Sequence, residues 1–216
     1  MKSKSLRRAL ALLAVTAFAV FAPTRALAGP PLICHPYDIG PAASLPSGTD
    51  RFGLSPTYDR THLVADTLAL LQPDQPVLVR METLRRAAIY ATGNLRTWNG
   101  EKYTAVDRAL AAALVAKLQE RTTTTESAAR ALALFDLGFF SESIRQTGFD
   151  PALDGYALLV KAAETLKDNP DVEFALALAS LSPQRAGHPE HLARARALAK
   201  PDSLLAMNLA SHFGKS

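Results

Sequence analysis

The sequence predicts an all-α protein, a right-handed stack of antiparallel helical hairpins preceded by an extended N-terminal arm. Apolar residues recur every three to four positions through most of the chain after residue 56, which is the period of a helix with one buried face. β-branched residues are scarce on these faces, and no segment has the pattern of a strand. Pro151, Pro170 and Pro189 add a 19-residue rhythm that suits a helix followed by a turn.

Residues 1–28 have the three parts of a secretory signal peptide. Four basic side chains in the first eight residues precede a charge-free apolar run over residues 9–22, and Ala26-Leu27-Ala28 supplies small residues for cleavage. The apolar run is shorter than the roughly 20 residues that a membrane-spanning helix needs. We therefore expect cleavage after Ala28 and a periplasmic or secreted protein with no stable membrane insertion.

The formal net charge of +4 comes from this leader. The leader holds five basic residues and no acidic one, so 19 basic and 20 acidic side chains remain in the rest of the chain. Such a balance excludes the basic surface that nucleic-acid binding requires. We expect no nucleic-acid partner.

Residues 29–56 are predicted to form the arm. Six prolines and four glycines interrupt this segment, which leaves too little periodicity for a helix. Apolar residues such as Leu32, Ile33 and Tyr37 are interspersed, so the arm should lie along the body of the protein. Residues 57–216 then form a single helical domain.

Start and stop signals place the first helices of this domain. A Ser55-Pro56 start, a Gly93-Asn94 stop, a capping box of Thr104 with Asp107, and Gly138 divide the chain. The predicted helices cover residues 56–71, 76–92, 104–121, 126–137 and, after Gly138, 139–146.

The last third of the domain contains four dipeptides that end in proline. Proline is favoured in the first turn of a helix, so each dipeptide is predicted to open one. The final helix should end near Phe213. The four dipeptides are Asp150-Pro151, Asn169-Pro170, His188-Pro189 and Lys200-Pro201.

Two segments resemble tetratricopeptide repeats. Residues 131–144, with Leu137-Gly138 at their centre, are similar to the Leu-Gly turn region of such a repeat, and residues 169–177 are similar to the start of another. The resemblance covers about residues 125–200. It implies a protein-interaction scaffold and no catalytic residue.

Cys34-His35 is the sharpest local feature. A thiolate beside an imidazole suits a nucleophile or a soft-metal ligand. Adjacent side chains in an extended segment point apart, however, and the only cysteine of an exported chain can also cross-link two molecules or be buried. These three interpretations stay open.

Arg85 and Arg86 border the apolar face of the 76–92 helix. Arg85 is expected to bury its stem and pair with a carboxylate, with Glu82, Asp66 and Asp107 as candidate partners. The functional alternative is that both arginines bind an acidic group or a peptide C-terminus.

Trp98 and two histidines complete the candidate residues. Trp98 lies in a loop with Asn and Gly, where it could anchor a partner or fold back over the end of a hairpin. His188 and His191 are three apart and could face one ion, but His188 is more simply the cap before Pro189. We therefore predict no metal, no cofactor and no catalytic residue.

Two functional hypotheses follow. The first is a non-enzymatic exported scaffold that binds another protein or a peptide, and it predicts a groove lined with polar and aromatic side chains. The second is a small helical envelope enzyme or ligand-binding protein that uses Cys34 and His35, and it predicts a closed cavity. A third possibility is that the arm simply completes the core by covering the first hairpin.

Overall fold

A computed structural model describes residues 31–48, 54–92, 105–181, 185 and 187–214. Every regular element in these ranges is a helix, so the predicted all-α class is confirmed. The predicted signal peptide, Trp98, the Gly93-Asn94 stop and Thr104 lie outside the described residues. A short 3₁₀ turn, Arg60–His62, precedes the α-helices, which are α1 (Leu63–Leu70), α2 (Val77–Ala91), α3 (Ala105–Arg121), α4 (Ser127–Gln146), α5 (Gly155–Thr165), α6 (Pro170–Ala179), α7 (His188–Leu198) and α8 (Leu204–Phe213).

Helix α2 is the centre of the fold. Fourteen of its fifteen residues are buried, which distinguishes it from a surface helix with a single apolar stripe. It packs against α1, α3, α4 and α6. Its contact with α6 joins elements that are far apart in sequence, so the helices close around α2.

Two antiparallel hairpins pack beside it. In the first, Gly138 of α4 lies beside the backbone of Leu159 of α5, and Glu142 of α4 accepts a hydrogen bond from the backbone N–H of Tyr156. In the second, Ala177 of α6 contacts His188 of α7, and Glu173 contacts His191. The paired residue numbers run in opposite directions along the two helices of each pair. Both hairpins lie within residues 125–200.

The predicted helix break at Gly138 is wrong. Helix α4 continues through this residue to Gln146. A Cβ atom at position 138 would lie 2.7 Å from the carbonyl oxygen of Gly155, so the glycine allows two helix backbones to touch. Gly138 is therefore a packing residue.

The proline-based helix starts are correct at only one position without adjustment. Asn169 caps α6, accepts a hydrogen bond from Asp171, and is followed by Pro170 in the first turn. Helix α5 begins at Gly155, four residues beyond Pro151, with Asp154 as its N-cap. Helix α8 begins at Leu204, three residues beyond Pro201, with Ser203 as its N-cap. These aspartate and serine side chains accept backbone N–H groups, which a proline start does not provide.

Two further starts differ from the prediction. Gly187, with a φ of 89°, is the N-cap of α7, so His188 lies inside the helix. Asp59 caps the 3₁₀ turn that leads into α1, four residues after the predicted Ser55-Pro56 start. The predicted bounds of α2, in contrast, hold to within one residue at each end.

Among the helices of the described ranges, none has the length and apolar character needed to cross a membrane.

Candidate functional site

The arm lies along the helices, as the sequence predicts, and several helix side chains bind its backbone. Gln146 accepts the N–H of Leu32 through Oε1 at 2.8 Å. Asn208 of α8 binds Asp38 twice, accepting its N–H at 2.9 Å and donating to its carbonyl at 2.8 Å. This pairing satisfies an extended backbone in the way a neighbouring strand would. The arm is therefore held by specific polar contacts in addition to apolar packing.

Glu82 is the centre of a buried charge cluster beneath the arm. Its Oε1 accepts hydrogen bonds from Arg85 at 2.9 Å and Arg86 at 2.6 Å. Its Oε2 accepts from Arg85 at 2.7 Å and from the backbone N–H of Tyr37 at 3.0 Å. Both carboxylate oxygens are thus doubly engaged. Arg85 thus pairs with Glu82, one of the three carboxylates predicted as its partners.

Both arginines use their remaining donors on the arm. Arg85, which is 1% exposed, donates to the carbonyl of Ile33 at 3.0 Å, and Arg86 donates to the carbonyl of Leu45. These contacts fit the structural interpretation, in which Arg85 buries its stem and pairs with a carboxylate of the protein. They leave the guanidinium of Arg85 inaccessible to an acidic ligand from solvent.

Cys34 and His35 lie next to this cluster. Cys34 is half-buried and packs against the apolar core, and the ring of His35 meets the ring of His212 edge to face at 5.8 Å between centroids. His212 also stacks on Tyr37 of the arm, with centroids 5.0 Å apart. Burial lowers the pKa of His212. The imidazole that packs against the arm is therefore favoured in its neutral form. The sequence analysis missed His212.

A second buried ion pair joins α2 to α4. Arg80 and Asp136 are in contact at 2.6 Å, and each side chain is 1% exposed. Burial raises the pKa of Asp136, while the Arg80 guanidinium opposes this change. Arg80 also donates to the carbonyls of Gln72 and Gln75, which fixes the loop before α2. The sequence contains a sign of this buried ion pair, because Asp136 is the one charged residue in the run 131–141.

An open groove lies beside the docked arm. Its volume is about 480 Å³, within the range of known ligand and docking sites. Leu198, at the end of α7, lines it and is 45% exposed. The lining is mainly aliphatic side chains and prolines, not the polar and aromatic ones expected for a scaffold. It comes from the arm (Ile39, Pro41, Ala42), the first turns of α2 and α6 (Pro76, Leu78, Val79, Pro170, Asp171) and the α7–α8 corner (Leu198, Ala199, Lys200, Ser203, Leu204, Leu205).

One carboxyl group lines this groove. Asp171 lies in the first turn of α6, and burial raises the pKa of its side chain to about 6. A hydrogen bond from the backbone N–H of Leu78 acts in the opposite direction. The cap residue of α2, Pro76, makes no side-chain hydrogen bond, so Asp171 supplies a cap to α2 from another helix.

His188 and His191 serve the second hairpin. Nδ1 of His188 donates to the carbonyl of Ala177 at 2.8 Å, and Nδ1 of His191 is 2.7 Å from a carboxylate oxygen of Glu173. Each imidazole thereby connects α7 to α6. The other ring nitrogen of His191, Nε2, lies 3.4 Å from the hydroxyl of Tyr156 on α5.

Comparison with protein-family models, with curated proteins and with solved structures gives no match to this chain.

Proposed function

We propose that the protein is an exported helical scaffold that binds a segment of another envelope protein in the aliphatic groove beside the arm. The observation that carries this proposal is the groove itself. It is open, lined mainly by apolar side chains, and bordered by a large hydrophobic residue that remains 45% exposed. Apolar surface of this kind is stabilised when a partner covers it.

The way the groove is built supports a binding role. The arm forms one wall, and Asn208 holds the arm at Asp38, directly before Ile39 of that wall. The opposite walls are the first turns of helices, which are rigid elements. A groove assembled from fixed elements can bind a partner without first ordering itself, and this reduces the entropic cost of association.

Export and a hairpin stack are the remaining parts of the proposal. Export rests on the basic start, apolar run and Ala26-Leu27-Ala28 of the N-terminus. The stacked arrangement of tetratricopeptide type is supported by the antiparallel pairs α4–α5 and α6–α7. Cell fractionation with a mass measurement of the mature N-terminus tests the first part, and a start at Gly29 in the periplasm or medium is expected.

Site-specific cross-linking tests the groove. A photoreactive amino acid replaces Leu198, and, in a matched protein, it replaces Val160 on α5, which is 41% exposed and does not line the groove. The same partner should be captured from position 198 and not from position 160.

Binding is then measured with the purified partner. A buried leucine side chain contributes about 1.5–3 kcal/mol, so Leu198→Asp should weaken binding by tenfold or more, while Val160→Asp should leave it unchanged. Equal capture at both positions, or equal effects of both substitutions, would rule out the groove as the binding site.

A further inference from the structure

Resting on the proposed function, we infer that the protein segment bound in the groove carries a lysine or arginine, whose cationic group pairs with the carboxylate of Asp171. The remainder of that segment is apolar and covers Leu198 and Leu204. The inference adds a chemical identity to the partner that the apolar lining alone does not supply.

Among the described residues, Asp171 and Asp66 are the carboxylates partly removed from solvent that form no ion pair, and Asp66 instead accepts a hydrogen bond from the Tyr58 hydroxyl at 2.7 Å. Glu82 and Asp136 pair with arginines, Glu142 lies near Arg145 and Arg185, and Glu173 pairs with His191. Among the ion pairs of the described residues, none includes Asp171. Its carboxyl faces a groove that is open to a partner.

The surroundings of Asp171 would favour an incoming cation. Burial raises its pKa to about 6, which means that the ionised form is poorly solvated at neutral pH. A cation within a few ångströms would stabilise the carboxylate in this apolar setting more than on an open surface. The other charged side chain that lines the groove, Lys200, is exposed and forms no ion pair with Asp171. The carboxylate of Asp171 is therefore not directly paired with the cationic side chain that lines the same groove.

The structural role of Asp171 can be separated from this one. Its carboxylate accepts the N–H of Leu78 and so caps α2. Asp171→Asn keeps an oxygen that can accept this hydrogen bond and removes only the charge. The variant therefore isolates recognition of a cation from folding of the groove.

The probes are three acetylated, amidated pentapeptides, Ser-Leu-Lys-Leu-Ser and its versions with Gln or Glu at the centre. Leucine on both sides of the central residue makes binding independent of direction. Each peptide is titrated into the mature chain, residues 29–216, and the affinity is read from NMR shifts of the groove leucine methyl groups.

We expect the lysine peptide to bind about three- to tenfold more tightly than the glutamine peptide at pH 7.5, and the glutamate peptide to bind most weakly. The preference for lysine should shrink at pH 5, where Asp171 is mostly protonated. Asp171→Asn should abolish the preference at both pH values. The matched variant Glu164→Gln, which changes an exposed acid on α5, should retain it.

The outcomes distinguish the inference from the proposed function. Equal binding of all three peptides would overturn the role of Asp171 and leave the apolar groove in place. Absence of methyl shifts with every peptide would count against the groove itself. Concentration-dependent dimerisation that Leu198→Asp abolishes would overturn the inference by making a second copy of this chain the occupant.

Discussion

The charged side chains of α2 illustrate how buried polar groups organise this protein. A compact cluster on this helix consists of Glu82, Arg85 and Arg86. The two arginines donate to backbone carbonyls of the arm, and the Glu82 carboxylate accepts a backbone N–H of the arm. A buried ion pair contributes little net stability compared with apolar residues of the same volume, but removing one member leaves an uncompensated charge. The cluster instead fixes the position of the arm, because it binds the backbone of Ile33, Tyr37 and Leu45 at defined places along α2.

This arrangement predicts a large effect of Glu82→Gln. The substitution leaves Arg85 and Arg86 without their shared counter-ion in a site where Glu82 is fully buried. The free energy of unfolding should fall by about 3–5 kcal/mol, measured by urea denaturation. Glu120→Gln, which breaks the exposed pair with Lys117, should change it by less than about 0.5 kcal/mol. Comparable values for the two variants would show that the cluster does not hold the arm.

His212 gives a prediction about pH. Its pKa is lowered in the folded protein, first by burial and also by the nearby charges of His35 and Arg85, while the carbonyl of Asn208 opposes this change. The folded state therefore binds fewer protons than the unfolded state below the ordinary histidine pKa. The contribution of His212 to stability must then fall as the pH decreases through about 6.5.

The variant His212→Phe should reduce this loss, because it keeps a ring stacked on Tyr37 and removes the titrating group. The measurement is the free energy of unfolding at pH 7 and pH 5 for both proteins. Lys161→Gln, at an exposed position of α5, provides the control and should leave the pH dependence between pH 7 and pH 5 unchanged. A steeper loss in His212→Phe than in the native protein would contradict the assignment.

At the scale of elements, apolar periodicity predicted where helices lie better than where they begin. Helix α2 was predicted closely because its buried positions repeat over four turns. Pro151 and Pro201 misplaced two starts, because a proline satisfies the backbone geometry of a first turn but supplies no capping acceptor, which Asp154 and Ser203 provide farther along. Gly138 was misassigned because its role depends on close contact with the backbone of α5, which the residues around Gly138 do not reveal.

Gly138→Ala tests that explanation. In an exposed helix this change adds about 1 kcal/mol of stability through helix propensity. Here the new Cβ atom would approach the carbonyl oxygen of Gly155 to 2.7 Å, and backbone atoms cannot move aside cheaply. We expect a net loss of about 1–3 kcal/mol in the free energy of unfolding. A stabilised variant would show that α4 and α5 can separate without cost, and Lys161→Ala on the exposed face of α5 supplies the baseline.

At the scale of the molecule, the candidate site could be predicted only in part. The sequence correctly paired Arg85 with a carboxylate and placed the arm against the body. It could not identify Asn208, which is 170 residues from Asp38 in sequence. The groove could not be predicted from the sequence either, because its walls come from the arm and four separate helices that come together only on folding.

The arm is therefore predicted to be part of the folding unit. Leu32, Ile33, Tyr37, Ile39 and Leu45 are all buried, and at about 1.5–3 kcal/mol each their burial contributes an upper bound of about 8–15 kcal/mol. That sum is comparable with the entire stability of an ordinary domain. Deleting residues 29–56 should thus abolish the cooperative thermal transition that the chain 29–216 shows in near-ultraviolet circular dichroism. Asn208→Ala, which removes the clamp on Asp38 and a hydrogen bond to the carbonyl of Leu204, should lower the melting temperature while keeping a single transition. An unchanged melting curve after the deletion would mean that the helices fold without the arm, and the groove wall that the arm supplies would then be an accessory to a complete domain.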